Sequence, residues 1–183
     1  MKRQIRSSVF ETNSSSTHSI AISKKPVVIG KNIHFHVGEF GWENGIADTA
    51  DYLYTGILEQ ENRDELLDKL KEILDKYEIE YYFQKPKLSK SEYGDYYYLE
   101  HGYVDHSYEL KDFIEVVLSD EDLLMRYLFG DSTVYTGHDN QYSHPDGCDI
   151  ADEYYWTEEN GEYVQKKNPY HDSENYQYFY KGN

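Results

Sequence analysis

The alternation of apolar and polar positions divides this chain into short strands and a few amphipathic helices. Residues 4–10 (QIRSSVF) and 19–23 (SIAIS) have the two-residue period of strands, and ETNSSSTHS (11–19) lies between them as a connection. From Asn32 to Val37 a strand is expected, with Ile33, Phe35 and Val37 on one face and His34 and His36 on the other. Gly38, Gly41 and Gly45 then mark an irregular loop. Asp48 is placed to cap a helix running to about Glu59, with Leu53, Ile57 and Leu58 inward. Asn62 is placed to cap the next, 63–77, where Leu66, Leu67, Leu70, Ile73, Leu74 and Tyr77 recur at helical spacing.

Residues 78–84 (EIEYYFQ) form an expected strand stopped by Pro86, 85–94 a polar loop, and 95–104 an aromatic strand or hairpin. A helix follows over 108–118. Ser119-Asp120-Glu121-Asp122 resembles a capping box and opens another helix, ending at Gly130. Residues 133–136 are a short strand and 137–152 a long loop. Residues 153–157 and 162–166 flank Glu159-Asn160-Gly161, and Asn-Gly is a strong hairpin signal; 176–180 is a last aromatic strand. Together these elements specify an α+β fold, an antiparallel sheet with three or four helices, in a single domain over residues 1–183.

Charge narrows the functional choices. Lys and Arg number 18 against 35 Asp and Glu, giving −17. Residues 1–38 hold six cations (Lys2, Arg3, Arg6, Lys24, Lys25, Lys31) and one acid, Glu11, for +5. Residues 92–162 hold only Lys111 and Arg126 against 19 acids, so that segment alone carries 2 − 19 = −17. Such a surface repels duplex DNA and anionic membranes and attracts cationic partners. Disorder is not expected, because 21 Tyr, 7 Phe and 2 Trp are far more aromatic residues than disordered acidic chains carry. No run of apolar residues reaches spanning length, no apolar segment follows the basic N-terminus, and Cys148 is the single cysteine. A cytoplasmic protein, within a bacterial host cell if it is of phage origin, is the expectation.

Three groups of residues invite chemistry. In ETNSSSTHS four serines stand beside His18. Triads need convergence from separate elements, and the tract lacks the glycines of a nucleophile elbow or P-loop, so no catalytic residue is expected there. It remains a hydroxyl-rich turn or an anion or RNA contact formed by Asn13, Ser14, Ser15, Ser16, Thr17 and His18 with Arg3 and Arg6. His34 and His36 have a spacing that can hold a metal, or form an exposed strand face. The segment containing His138, Asp139, His144, Asp146, Cys148 and Asp149 is the richest in ligand side chains, but it has no zinc or EF-hand spacing. Neither a metal nor a cofactor is therefore expected, and a metal-binding or hydrolase-like enzyme built on that loop is the alternative. The tyrosine runs 81–83, 96–98, 154–156 and 176–180 lie on strands, so some rings must face solvent or a partner.

A small acidic chain with one cysteine resembles the anti-CRISPR proteins, the inhibitors of bacterial defence nucleases encoded by phages and mobile elements. The opening RSSVFETNSSSTHSIAI is similar to the start of proteins from phages and plasmids of Firmicutes. The anti-CRISPR resemblance implies a partner rather than a substrate. That partner is a Cas9-type nuclease or its guide complex, blocked at guide binding, DNA binding or cleavage, and no direct duplex DNA binding is implied. It carries over no site residue and leaves the oligomeric state open. Candidate partner-binding carboxylates are Asp95, Glu100, Asp120, Glu121, Asp122, Asp131, Asp139, Asp146 and Asp149, taken from the acidic segment itself.

Overall fold

A computed structural model of the chain describes residues 16–41, 45–92, 97–105, 107–138 and 153–181. The fold is α+β. In chain order it runs β1 (Ser16–Ser23), β2 (Asn32–Phe35), β3 (Glu39–Phe40), β4 (Gly45–Ala47), α1 (Thr49–Leu58) and α2 (Arg63–Lys76). Next come β5 (Glu80–Phe83), β6 (Leu88–Lys90), β7 (Tyr97–Leu99), β8 (Tyr103–Val104), a 3-10 turn (Ser107–Leu110), α3 (Lys111–Ser119) and α4 (Glu121–Phe129). The chain continues through β9 (Thr133–His138), β10 (Tyr154–Glu159), β11 (Glu162–Lys167), a second 3-10 turn (Pro169–His171) and β12 (Tyr176–Lys181).

The main sheet is antiparallel, in the order β12-β1-β9-β4. Its central strand β1 begins at Ser16, inside the hydroxyl-rich tract expected to be a turn. Pairing on both sides explains the difference: His18 lies opposite Lys181 of β12 and Thr136 of β9, and the ladders fix its backbone as strand. The expected strand at 4–10 lies outside the described residues.

Helix starts follow the side chains only in part. Asp48 caps α1, accepting from the backbone N–H groups of Ala50 and Asp51 at 2.9 and 3.0 Å. Asn62 makes no side-chain cap for α2, contrary to expectation. At α4 the cap is Asp120, which accepts from Leu123 N–H at 3.0 Å, while Ser119 instead donates its hydroxyl to the Val116 carbonyl. The end of α2 is a Schellman motif. Ile79 N–H donates to Leu74 O and Glu78 N–H to Asp75 O, both at 3.0 Å, with Glu78 at φ 56°. A left-handed residue is required there, and the sequence supplies glutamate where glycine is usual.

Three features depart from the sequence pattern. The strand β2 ends at Phe35 and pairs with β5 in parallel, Asn32 opposite Glu80 through Phe35 opposite Phe83. Parallel pairing needs a long crossover, and α1 with α2 provides it. A second parallel pair joins β3 to β8. The stretch expected to be a polar loop contains β6, which pairs antiparallel with β7. The aromatic stretch after it therefore does not fold on itself, because β7 and β8 have different partners.

One cluster of buried side chains joins the elements: Ile20 and Ile22 from β1, Tyr52, Leu53 and Ile57 from α1, Leu70 and Leu74 from α2, Ile114 and Leu118 from α3, and Leu124 and Tyr127 from α4. Each large apolar side chain so buried contributes roughly 1.5–3 kcal/mol before conformational entropy is counted.

Candidate partner-binding surface

The tract that opened the chemical question is absorbed, as far as it is described, into the interior. His18 and Ser19 are fully buried. Nε2 of His18 lies 3.2 Å from the carbonyl oxygen of Gly41, and Nδ1 lies 2.8 Å from the Tyr52 hydroxyl. A carbonyl only accepts, so Nε2 carries the hydrogen; in the neutral ring Nδ1 then accepts from the tyrosine O–H. The two rings also meet edge to face at 5.7 Å. Burial, followed by the nearby Glu59 carboxylate, pushes the Tyr52 hydroxyl well above its usual range, so it stays a donor. Ser19 accepts from Tyr178 O–H at 3.1 Å. These contacts hold His18 in the interior. Arg3, Arg6, Asn13, Ser14 and Ser15 lie outside the described residues, as do the side chains of Ser16 and Thr17.

His34 and His36 are engaged with neighbouring side chains. Their rings stand edge to face at 6.1 Å, and His34 packs on Tyr82 at 5.8 Å. The His36 N–H donates to Asp51 Oδ1 at 2.7 Å, with its ring Nδ1 3.2 Å from the same oxygen, which ties the end of β2 to α1. A cleft of about 360 Å³ is lined by both histidines together with Leu128 and Phe129. Among the described residues no three His, Cys, Asp or Glu side chains form a metal-binding group. His144, Asp146, Cys148 and Asp149 lie outside the described residues, as does the side chain of His138.

The carboxylates assigned to a partner separate into distinct situations. Asp120 is committed to its cap. Glu121 is gripped by Lys76 at 2.6 Å, and Asp122 by Arg126 at 3.0 Å, one turn along the helix. Glu100 is bonded to the Ser89 hydroxyl across the β6–β7 hairpin. Asp131 is exposed beyond the opposite end of α4, and the nine residues of that helix put it roughly 15 Å from Asp120. Asp95, Asp139, Asp146 and Asp149 lie outside the described residues. Two of the described members therefore have their charge offset by cations of the same chain.

The acidic segment has a different exposed feature, which its charge did not single out. The hairpin β10–β11 forms a sheet of its own, with Tyr154 opposite Lys167, Trp156 opposite Gln165 and Glu158 opposite Tyr163. Its turn has Asn160 at φ 54° and Gly161 at φ 84°, the left-handed pair a tight two-residue turn requires. Directly opposed residues share a face, so Tyr154, Trp156, Glu158 and Tyr163 lie together. They face solvent: Trp156 is 60% exposed and Tyr163 74%. The aromatic triplet 154–156 was a sequence signal, but only the register shows which rings lie outward. No helix among the described residues is long and apolar enough to cross a membrane. Comparison with protein-family models, with curated proteins and with solved structures finds no match to this chain.

Proposed function

We propose that this chain is an inhibitor that binds a basic nucleic-acid-binding protein, with a Cas9-type RNA-guided nuclease as its target. The observation that carries the reading is the concentration of the entire net charge of −17 in residues 92–162. Part of that segment is held on helices α3 and α4 and on the β10–β11 hairpin. Carboxylates on ordered elements engage lysines and arginines that would otherwise hold phosphates, with less ordering cost than acids on a tail. The burial of His18 favours this reading over a serine–histidine hydrolase.

The test is affinity for a Cas9–guide complex, with target cleavage measured alongside. Submicromolar binding that weakens as salt is raised, with cleavage suppressed, is expected. No binding at low salt removes the nuclease reading, and salt-independent binding removes the electrostatic argument.

A further inference from the structure

We infer that the aromatic face of β10–β11 is the surface on which this protein seats an arginine-rich segment of a protein partner. The inference deepens the proposed inhibitor function and rests on its basic-partner reading. Among the described residues the hairpin pairs with no third strand. Here it presents Trp156, Tyr163 and Tyr154 (48% exposed) outward. None of these three rings packs against another ring among the described residues.

Trp156 and Tyr163 are diagonal neighbours across the ladder, about 7–8 Å apart along the backbone, which leaves room for a planar cation against either ring. Glu158 is directly opposite Tyr163 on the same face. Of the other acids of the hairpin, Glu159 is bonded to Lys166 and Glu153 lies 3.8 Å from Lys167, while Glu162 lies opposite Glu159 on the other face. Glu158 has no cation partner among the described residues. That face also carries Gln165 and Lys167, the latter beside Glu153, which leaves tryptophan, tyrosine and the Glu158 carboxylate as the elements of a guanidinium site, with ring faces to stack on and an acid to accept its N–H groups.

Arginine suits this face better than lysine because its flat, weakly hydrated head stacks, whereas an ammonium loses more hydration. Nucleic acid would also stack on exposed rings, but a molecule of −17 with Glu158 among those rings opposes phosphate. A second copy of the chain brings the same charge and is opposed for the same reason.

The experiment titrates the full-length protein with an arginine-rich peptide and a lysine-rich peptide of equal length and charge, then with a Cas9–guide complex and a single-stranded RNA. Wild type is expected to bind the arginine peptide several-fold more tightly than the lysine peptide. Trp156→Ala/Tyr163→Ala should weaken the arginine peptide by tenfold or more, and Glu158→Gln by several-fold, with the melting temperature held. Equal affinity of wild type and the double variant for the arginine peptide overturns the assignment, as does RNA binding through the same rings. Binding of the Cas9–guide complex that ignores the double substitution overturns the hairpin site while leaving the proposed function in place. Ring-dependent peptide binding without any Cas9–guide binding does the reverse.

Discussion

Replacing Tyr52 by phenylalanine isolates one hydroxyl in the packed interior. The ring of Tyr52 is fully buried and also meets Phe40 at 5.3 Å, and phenylalanine keeps both that contact and the one to His18. What disappears is the O–H bonded to His18 Nδ1 at 2.8 Å. Withdrawing a partner from a buried polar atom costs roughly 1–3 kcal/mol. For a chain of 183 residues each kcal/mol lowers the melting temperature by about 2–4 °C. The substitution has a second consequence in alkali. Burial raises both Tyr52 and Tyr127 well above their ordinary value of 10.0. A group whose folded pKa is raised contributes stability that is complete below the unfolded value and is lost as pH climbs through the folded one. Each such tyrosine therefore removes about 1.4 kcal/mol of stability per pH unit above 10. Urea unfolding at pH 7 and at several values between 10 and 11.5 measures both effects. Tyr52→Phe should be the weaker protein at pH 7 and lose stability less steeply in alkali, by about 1.4 kcal/mol per unit. Equal stability at pH 7 with an unchanged alkaline slope would show that the His18–Tyr52 contact is not maintained in solution.

Two further substitutions test how the helices end and begin. Glu78→Gly should stabilise the protein by about 0.5–1 kcal/mol in thermal unfolding, because the left-handed position closing α2 disfavours any side chain. A loss of stability would mean that Glu78 makes a compensating contact. Asp120→Ala should cost about 1 kcal/mol through loss of the α4 cap, whereas Ser119→Ala should cost less, which circular dichroism melts of the two variants will resolve.

The parts of the fold legible in the sequence were those specified by local chemistry. Asp48 capped the helix it was expected to cap, the leucines of α2 turned inward, and Asn160-Gly161 made the hairpin turn. The parts that were not legible depend on distant partners. Nothing in NIHF or EYYF indicates parallel pairing, because the register is set by how the α1–α2 hairpin packs. Strands of two or three residues such as β3, β4 and β8 are too short to show a period. Ser16 to Ser19 have the composition of a turn, and local hydrogen bonding by such residues favours one. Ladders to β9 and β12 outweigh that preference, and a buried tyrosine hydroxyl gives the histidine a partner that no neighbour in sequence supplies.

The candidate site shows the same division between what composition states and what pairing decides. Counting charges located the acidic segment, but Lys76 and Arg126 offset two of the acids in its helix start, and Lys76 is 45 positions from the glutamate it holds. Counting tyrosines located the strands, but whether a ring is core or surface depends on strand register. Tyr81 packs on Phe83 at 5.4 Å and Tyr54 on Phe83 at 5.1 Å, while among the described residues Trp156 and Tyr163 lie on a hairpin that pairs only with itself and meet no other ring. An exposed charge pair contributes little alone, about 0–1 kcal/mol, whereas an aromatic face that is already ordered loses little entropy when a cation docks. In the proposed function acidic charge draws a basic partner in, and the two-residue period of β10 and β11 sets which rings the inferred site would offer it.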